Sequence, residues 1–186
     1  MALFTGKGDN GTTKTYRCDQ RISKSSAIAE ALGSMDEINS FLGLCKMKSE
    51  KEDLDFDEGG PSFSEIIHGI QQTLFSIQAE LAGFPKKIEE DKVKELEKII
   101  NGIETQLPPI KTFFISGGTE LAAMFDFART LARRAERRVV GVKDEGKVTL
   151  GAPTLAYMNR LSSVLYALAR LSNHKADIAE ESPSYK

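Results

Sequence analysis

The chain has 186 residues, of which 40% are hydrophobic and 28% are charged, and its formal net charge is −2. This length and composition suit a single globular domain with a sizeable core. The charge balance argues against a nucleic-acid-binding protein, whose domain would carry a clear excess of lysine and arginine. No stretch is long and apolar enough to predict a transmembrane helix.

Two features of the chain bear on its compartment. The N-terminus runs directly into a glycine-rich segment, which leaves no room for a signal or transit peptide. Cys18 and Cys45 are too few for a disulfide framework and do not have zinc-binding spacing. We therefore expect a cytoplasmic protein with reduced thiols and with neither a nucleic-acid nor a membrane partner.

The glycine-rich segment FTGKGDNGTT spans residues 4–13 and holds three glycines, three threonines and a lysine. Such a segment can turn several backbone N–H groups toward an anion. It is therefore a candidate phosphate-binding loop, to which Lys24 would add a positive charge. It lacks the Gly-Lys-Ser/Thr ending of a Walker loop, and it is not a Gly-x-Gly-x-x-Gly motif that opens a helix after a buried strand. A flexible N-terminal arm is the alternative interpretation.

Hydrophobic residues recur at steps of three and four in five segments, which predicts five amphipathic helices. The predicted helices cover residues 26–46, 62–81, 89–106, 119–143 and 154–174. A Ser-x-x-Glu capping box at Ser62 opens the second helix, and Pro153 precedes the fifth. Residues 50–61 are acidic and predict an exposed loop. The predicted fold class is all-α, a single-domain five-helix bundle with a ferritin-like up-down arrangement.

The fourth predicted helix carries the densest positive charge of the chain, in FARTLARRAERRVV from residue 127 to residue 140. At about 100° per residue, four charged residues share an arc of roughly 100° beside the apolar face: Arg129, Arg133, Glu136 and Arg137. Arginine suits bidentate recognition of phosphate or carboxylate, although a solvated face with intrahelical ion pairs is the alternative. Arg134 and Arg138 turn away from Arg129 by about 140° and 180°, so we interpret them as surface residues.

Three further residues attract attention because their type is unusual for their position. Asp36 lies in the middle of the first predicted helix, where it could meet an arginine of another helix or subunit. Phe113 belongs to a short apolar run, residues 110–115, in which aromatic side chains are ordinarily part of the core. Asn159 lies on a polar strip of the fifth helix. In the simplest interpretation this strip only faces water.

Together these motifs identify a resemblance to the ATP:cob(I)alamin adenosyltransferases of the type associated with propanediol utilisation and with mammalian methylmalonic aciduria type B. The resemblance runs nearly from end to end. Its strongest parts are residues 5–13, GSMDEINS at 33–40, residues 113–118, residues 129–138 and YMNRLS at 157–162. Several motifs in the same order are far more specific than any one of them.

The resemblance implies a homotrimer that holds ATP between the N-terminal loop of one chain and the arginine helix of its neighbour. It assigns ATP binding to Thr5, Gly6, Lys7, Gly8, Asp9, Thr13, Lys24, Arg129, Arg133, Glu136, Arg137 and Asn159. Those that would serve the reaction directly are Arg129, Arg133, Glu136 and Asn159. Phe113 would press on the lower face of the corrin ring, and Asp36 would pair with Arg129 across the subunit interface.

The implied reaction transfers the 5′-deoxyadenosyl group of ATP to cob(I)alamin and releases triphosphate. ATP and cobalamin are the substrates, and Mg²⁺ would be held by the phosphates rather than by side chains. A reductase and an adenosylcobalamin-dependent enzyme are further partners that the resemblance allows. The alternative function is a carrier that binds adenosylcobalamin and delivers it to a partner enzyme.

The expected organisation has three parts: an ATP-binding loop segment at residues 1–25, the bundle at residues 26–176 and a flexible tail at residues 177–186. The sequence departs from the family pattern at two positions. Ser116 stands where many relatives have proline, and Ser163 stands where many have aspartate one turn after Asn159. The first difference should only loosen a turn, whereas the second removes a possible polar contact.

Overall fold

The computed structural model describes residues 3–16, 20–52, 55–56, 60–146 and 148–185. Within these residues the chain forms α1 (Ala27–Glu52), α2 (Phe63–Leu81), α3 (Glu90–Glu104), α4 (Glu120–Asp144) and α5 (Ala152–Lys175). The predicted all-α class and the five helices are confirmed. The helix α1 continues past its predicted end at residue 46, because its last turns are polar and are supported by i,i+4 ion pairs that hydrophobic periodicity does not detect.

Side-chain caps mark where two of the helices begin, and a buried carboxylate lies at the start of a third. At α2 the Ser62 hydroxyl accepts from the Glu65 N–H and the Glu65 carboxylate accepts from the Ser62 N–H, as the predicted capping box requires. The hydrogen bonds that the N–H and the hydroxyl of Ser62 donate to the carboxylate lower the pKa of Glu65. At α4 the Thr119 hydroxyl accepts from the N–H of Ala122. At α5 the buried carboxylate of Glu80 accepts from the N–H of Gly151 at 2.8 Å, so an anion lies at the positive end of the helix.

The arginine-bearing helix α4 is the central helix of the bundle. It packs against α1 on one side and α5 on the other, while α2 packs against α1 and α3 against α5. Lys48 near the end of α1 lies 2.7 Å from Glu120 at the start of α4. Arg138 near the end of α4 lies 3.9 Å from Glu30 at the start of α1. The two helices are therefore antiparallel, and α1 begins at the end of the bundle where α4 finishes.

The core lies between the helices and is aliphatic with a few aromatic rings. Its largest fully buried side chains include Tyr157, Phe63 and Phe125. Desolvation raises the pKa of Tyr157, so its phenol stays neutral. Cys45 is a free, fully buried thiol whose pKa desolvation raises to about 12, whereas Cys18 lies outside the described residues.

The N-terminal segment contains a small sheet that the sequence did not predict. Here β1 (Thr12–Thr13) pairs antiparallel with β2 (Ile22–Ser23). Strands of two residues are too short to show an alternating pattern. The ring of Tyr16 lies 4.8 Å from that of Phe84, just after α2 ends, so this segment lies at the end of the bundle where α2 finishes and α1 begins.

The predicted exposed loop at residues 50–61 is only partly correct. The first three of these residues are helical, and several others lie outside the described residues. Phe56 is buried with 9% of its surface exposed. Its ring packs so closely on α3 that a Cβ at Gly102 would lie 2.4 Å from the ring carbon Cζ. The prediction failed because one aromatic residue in an acidic segment shows no periodicity.

Two segments without regular secondary structure lie against each other. Residues 110–118, between α3 and α4, form no helix or strand. Residues 178–181, after α5, contact this segment, since the N–H of Ile115 donates to the carbonyl oxygen of Glu181 at 2.8 Å. Among the described residues, no helix is long and apolar enough to cross a membrane.

Candidate active site

A cavity of about 870 Å³ opens at the end of the bundle where α4 begins and α5 finishes. Residues 110–118 form one wall, α4 and α5 form the opposite wall, and residues 178–181 close one side. The two positions that depart from the family pattern, Ser116 and Ser163, both line it. The cavity therefore combines an irregular segment with two rigid helices, an arrangement typical of ligand sites.

Phe113 is the most unusual residue of the cavity wall. Its side chain is 79% exposed although it is a large aromatic group, so the interpretation of Phe113 as a core residue is wrong. Phe114 is half-buried, and its ring centre lies 5.3 Å from the guanidinium carbon of Arg170. An aromatic ring held in an open cavity leaves apolar surface in water, and such exposed apolar surface commonly marks a binding site.

Arg129 lines the same cavity and is held by its own chain. Its Nε atom lies 3.5 Å from Oδ1 of Asp126, and its guanidinium carbon lies 5.8 Å from the ring centre of Tyr166. Burial is the main cause of the raised pKa of Tyr166, so the ring stays neutral beside the cation. The Nε atom is buried and has no hydrogen-bond partner among the described residues, which leaves a donor beside the cavity.

Asp36, the predicted partner of Arg129, lies elsewhere in the chain. It is on an exposed position of α1, and no described residue forms an ion pair with it. Within one chain the arginine is paired with Asp126 instead. The predicted pairing across a subunit interface stays a prediction.

The remaining cations of α4 divide into two groups by the direction in which they point. Arg134 pairs with Glu37 and Arg138 with Glu30, so both face α1. Arg133 and Arg137 are exposed, and neither has an ion pair or hydrogen bond with any described residue. Arg133 lines the cavity. This division follows the helical angles that the sequence predicts, and it leaves two arginines available to an anion.

Glu136 and Asn159 lie next to each other between α4 and α5. The Nδ2 group of Asn159 donates to Oε1 of Glu136 at 2.9 Å, and Arg160 donates to Oδ1 of Asn159 at 3.0 Å. Arg160 in turn donates to Glu97 at 3.1 Å. The polar pair lies about one turn along α4 from Arg133 and does not itself line the cavity.

The N-terminal loop has the backbone conformation of a tight glycine-rich turn. Gly6 and Gly11 have φ angles of 66° and 77°, which favour glycine. Lys24 folds back onto the loop: a Cβ at Gly8 would lie 3.2 Å from its Nζ atom and 3.2 Å from the carbonyl oxygen of Thr12. The loop and Lys24, predicted to act together, are therefore adjacent.

The other predicted loop residues are open to solvent or partly so. Thr5, Lys7 and Asp9 are exposed, and Thr13 is half-buried in β1. The Oγ1 atom of Thr5 accepts from the N–H of Lys7 at 3.4 Å. No cluster of three or more His, Cys, Asp or Glu side chains suited to a metal occurs in the described part of the chain.

A single chain does not bring the loop and the cavity together. The loop precedes α1 and lies where α4 finishes, whereas the cavity lies where α4 begins. None of the described residues before α1 lines the cavity. The cavity residue of α4 that lies furthest along the helix is Arg133, which is 11 residues, or roughly 16 Å, before the end of α4 at Asp144.

Sequence reasoning gave no role to several polar residues that shape the cavity, although Tyr166 and Arg170 lie on the same polar strip of the fifth helix as Asn159. Asp126, Tyr166, Arg170 and Asn173 all line it. Arg170 is only 5% exposed, and it makes a bidentate pair with Glu180 at 2.6 and 2.8 Å. An arginine on the polar strip of an amphipathic helix was the available signal, although such a residue usually faces water. Its partners lie in segments with no periodicity, so they could not be named in advance.

Comparisons with known proteins show the family to which the chain is similar. A family model described as cobalamin adenosyltransferase matches residues 3–172. The corrinoid adenosyltransferase PduO of Citrobacter freundii is 37% identical over 183 residues, covering 95% of this chain and 51% of that protein. The corrinoid adenosyltransferase of Bacillus subtilis is 33% identical over 187 residues, covering 97% of this chain and 91% of that protein. The chain spans about half the length of the PduO relatives it matches.

A solved structure is also similar. It is a variant PduO-type ATP:corrinoid adenosyltransferase from Lactobacillus reuteri, complexed with cobalamin and ATP. The TM-score is 0.84 and the sequence identity 28%, and the match covers 99% of this chain and 97% of that one.

Proposed function

The chain belongs to the cobalamin adenosyltransferase family, and we propose that it transfers the 5′-deoxyadenosyl group of ATP to cob(I)alamin, with release of triphosphate. The observation that carries the proposal is the cavity itself. It places an exposed aromatic ring, Phe113, across from the cations Arg129 and Arg133. A flat hydrophobic macrocycle that meets a polyanion needs these two kinds of surface on one site.

The corrin side of the site is formed within one chain. Phe113 packs against the lower face of the ring, where it excludes water and a lower axial ligand from the cobalt. Because the side chain is already exposed into the cavity, it need not leave a packed core to do so. Loss of the axial ligands makes Co(II) easier to reduce to Co(I), since the cobalt then loses electron density from its donors.

The phosphate side of the site requires two chains. We assign it to the loop residues Thr5, Gly6, Lys7, Gly8, Asp9 and Thr13 with Lys24, and to Arg129, Arg133, Glu136, Arg137 and Asn159 of a neighbouring chain. The distance between loop and cavity in one chain supports this assignment. So do Arg133 and Arg137, which are exposed and have no partner among the described residues.

The proposed assembly is a homotrimer. Phe127 of α4 is 54% exposed, and Leu44 and Met47 of α1 are 49% and 48% exposed. Apolar surface of this kind on adjacent helices supports an interface with another chain. The same interface would bring Asp36 of one chain to Arg129 of the next, where Asp36 could supplement Asp126.

The protein contributes positioning and electrostatic stabilisation to the proposed reaction. The cobalt of cob(I)alamin supplies an electron pair to the 5′-carbon of ATP, the bond from that carbon to oxygen breaks, and its electron pair leaves with triphosphate. Arg133 and Lys24 stabilise the departing anion. Mg²⁺ enters with the nucleotide and is held by phosphate oxygens, the hard ligands it prefers. The Glu136–Asn159 pair orients the nucleotide from the side of α5.

The remaining parts of the proposal concern the setting of the enzyme. We place it in the cytoplasm, where ATP is abundant and thiols such as the free Cys45 stay reduced. A reductase must supply the electron that forms cob(I)alamin, and an adenosylcobalamin-dependent enzyme must consume the product.

The test is anaerobic incubation of the protein with ATP, Mg²⁺ and chemically reduced cobalamin, followed by absorbance. We expect many turnovers to adenosylcobalamin per chain and one triphosphate for each. Conversion absent under these conditions would exclude the enzymatic function. If the protein binds adenosylcobalamin and passes it to an acceptor enzyme but forms none, the carrier function is the correct one.

A further inference from the structure

Asn173, on the last turn of α5, contacts the backbone on both sides of Gly118. Its Nδ2 group donates to the carbonyl oxygen of Gly117 at 2.8 Å, and its Oδ1 atom accepts from the N–H of Thr119 at 2.9 Å. The side chain is buried, with 9% of the residue exposed. Both hydrogen-bonding ends of the amide are therefore used to fix one short stretch of backbone, which is a stronger restraint than a single bond.

Gly118 shows independently how closely the amide is fitted. Its φ angle is 102°, which residues other than glycine rarely adopt. A Cβ there would lie 2.2 Å from Oδ1 of Asn173, far inside van der Waals contact. The backbone at residues 117–119 thus has one position, set by the side chain of Asn173.

This stretch of backbone connects the aromatic wall of the cavity to its cationic wall. Four residues before Gly117 is Phe113, whose own side chain is 79% exposed and so provides little restraint. The N–H of Gly117 donates to Oδ2 of Asp126 at 3.3 Å. The other carboxylate oxygen of Asp126 lies 3.5 Å from Nε of Arg129. A shift at Gly117 is therefore passed to the ring through four residues of backbone, whereas the Asp126–Arg129 pair lies within α4.

We propose that Asn173 is a positioning residue of the adenosyl transfer, which sets the height of the Phe113 ring in the cavity by clamping the backbone of residues 117–119. The inference rests on the proposed function, since it concerns the face on which the corrin ring packs. Asn173 lines the cavity, but both hydrogen-bonding groups of its side-chain amide are taken by the backbone of residues 117 and 119. A merely structural role, such as supporting the start of α4 at Thr119, would instead affect folding and every ligand equally.

The test uses Asn173→Ala, with Ser172→Ala as the matched control. Ser172 is also buried on the last turns of α5, but its hydroxyl donates only to the carbonyl oxygen of Leu168 within the helix. Cob(II)alamin is added to each protein with Mg-ATP, and absorbance and electron paramagnetic resonance measure the fraction that loses its axial ligands. For Asn173→Ala we expect this fraction and kcat to fall about tenfold or more, because unclamped backbone misplaces the ring. The Kd for ATP should stay within about twofold.

A double-mutant cycle with Phe113→Ala decides whether Asn173 acts through the ring. If it does, adding Asn173→Ala to Phe113→Ala produces no further loss in the axially unligated fraction. An equal loss in both backgrounds, or an unchanged fraction for Asn173→Ala alone, overturns the proposal. Should Asn173→Ala fail to fold, Gly118→Ala replaces it, because its methyl group would push the same backbone away from Asn173. An equal loss in both backgrounds, or an unchanged fraction for Gly118→Ala alone, then overturns the proposal.

One experiment tests the clamp without measuring catalysis. Hydrogen exchange in the protein alone is followed at the N–H groups of Ile115 and Gly117, which bond to Glu181 and Asp126 and not to Asn173. Faster exchange by about tenfold or more in Asn173→Ala supports the clamp, and unchanged exchange overturns it. If the wild-type protein forms no adenosylcobalamin, the proposed function is wrong. The hydrogen-exchange result still shows whether Asn173 restrains the backbone.

Discussion

The N-terminal loop and the cavity wall differ in how the fold holds them. The loop is exposed, turns on its own glycines and is fixed mainly by its own short sheet and by Lys24. The cavity wall is built by α4, α5 and residues 110–118, which are joined by hydrogen bonds between distant parts of the chain. The loop is thus formed by residues close together in the sequence, whereas the cavity wall is formed by residues that only the tertiary structure brings together.

This difference indicates what each region needs in order to work. The cavity already has its shape in a single chain, so a rigid, apolar ligand can use it directly. The loop carries a cation and several N–H groups, but none of its described residues lines the cavity. A polyanion held by the loop alone would stay largely in water, where charge interactions are weak. Placing the wall of a second chain over it removes that water.

The largest effect is expected for Arg133→Ala, which removes an exposed cation of the cavity wall. It should lower kcat/KM by about a thousandfold, because the departing triphosphate loses a charge-assisted contact. Steady-state formation of adenosylcobalamin measures this, with circular dichroism to confirm unchanged helical content. Arg134→Ala is the matched control, since the adjacent arginine pairs with Glu37 of α1 and faces away from the cavity. Equal losses in the two variants would make the arginine face structural.

Phe113→Ala should remove the aromatic contact with the corrin ring and leave ATP binding unchanged. We expect kcat to fall by about a hundredfold, since the ring no longer excludes the lower ligand from cobalt. The Kd for Mg-ATP, measured by calorimetry, should be unchanged. Because the side chain is 79% exposed, the melting temperature should hardly change. A large fall in ATP affinity would show that the two sides are not separate.

The smallest effect is expected for Gly8→Ala in the loop. The new methyl group would lie 3.2 Å from Nζ of Lys24 and 3.2 Å from the carbonyl oxygen of Thr12, so the lysine and the loop backbone must shift apart by a few tenths of an ångström. The KM for ATP should rise by about tenfold, which corresponds to roughly 1.4 kcal/mol. Gly69→Ala is the control, because a Cβ on that helical glycine meets nothing within 4 Å. A normal KM for Gly8→Ala would exclude Lys24 from phosphate binding.

The same contrast explains what could be predicted from the sequence. Helix α2 was predictable, since its capping box and periodicity are local signals. The division of the α4 arginines was predictable from helical angles alone, and the structure places Arg134 and Arg138 against α1. The loop and Lys24 were predictable as a pair because the segment that joins them is short.

The cavity wall was not predictable in the same way. Residue type alone favours a core position for Phe113, and its place at the corrin ring was expected only from the family resemblance, because nothing in its apolar surroundings shows that the segment stands open to a cavity. The side chains that hold that segment, Arg170 and Asn173, follow it by more than 50 residues in the chain. Contacts of that separation depend on tertiary packing and leave no periodic signal.

The central claim, that each ATP site takes its loop from one chain and its wall from another, is tested most directly by mixing two inactive variants. Lys24→Ala lacks the loop cation and Arg133→Ala lacks the wall cation. They are coexpressed in equal amounts, and the oligomers are assayed for adenosylcobalamin formation beside each variant alone. If loop and wall come from different chains, about a quarter of the sites in randomly mixed oligomers are intact and activity returns in proportion. If both came from one chain, no site would be intact, and mixtures as inactive as their parents would contradict the account.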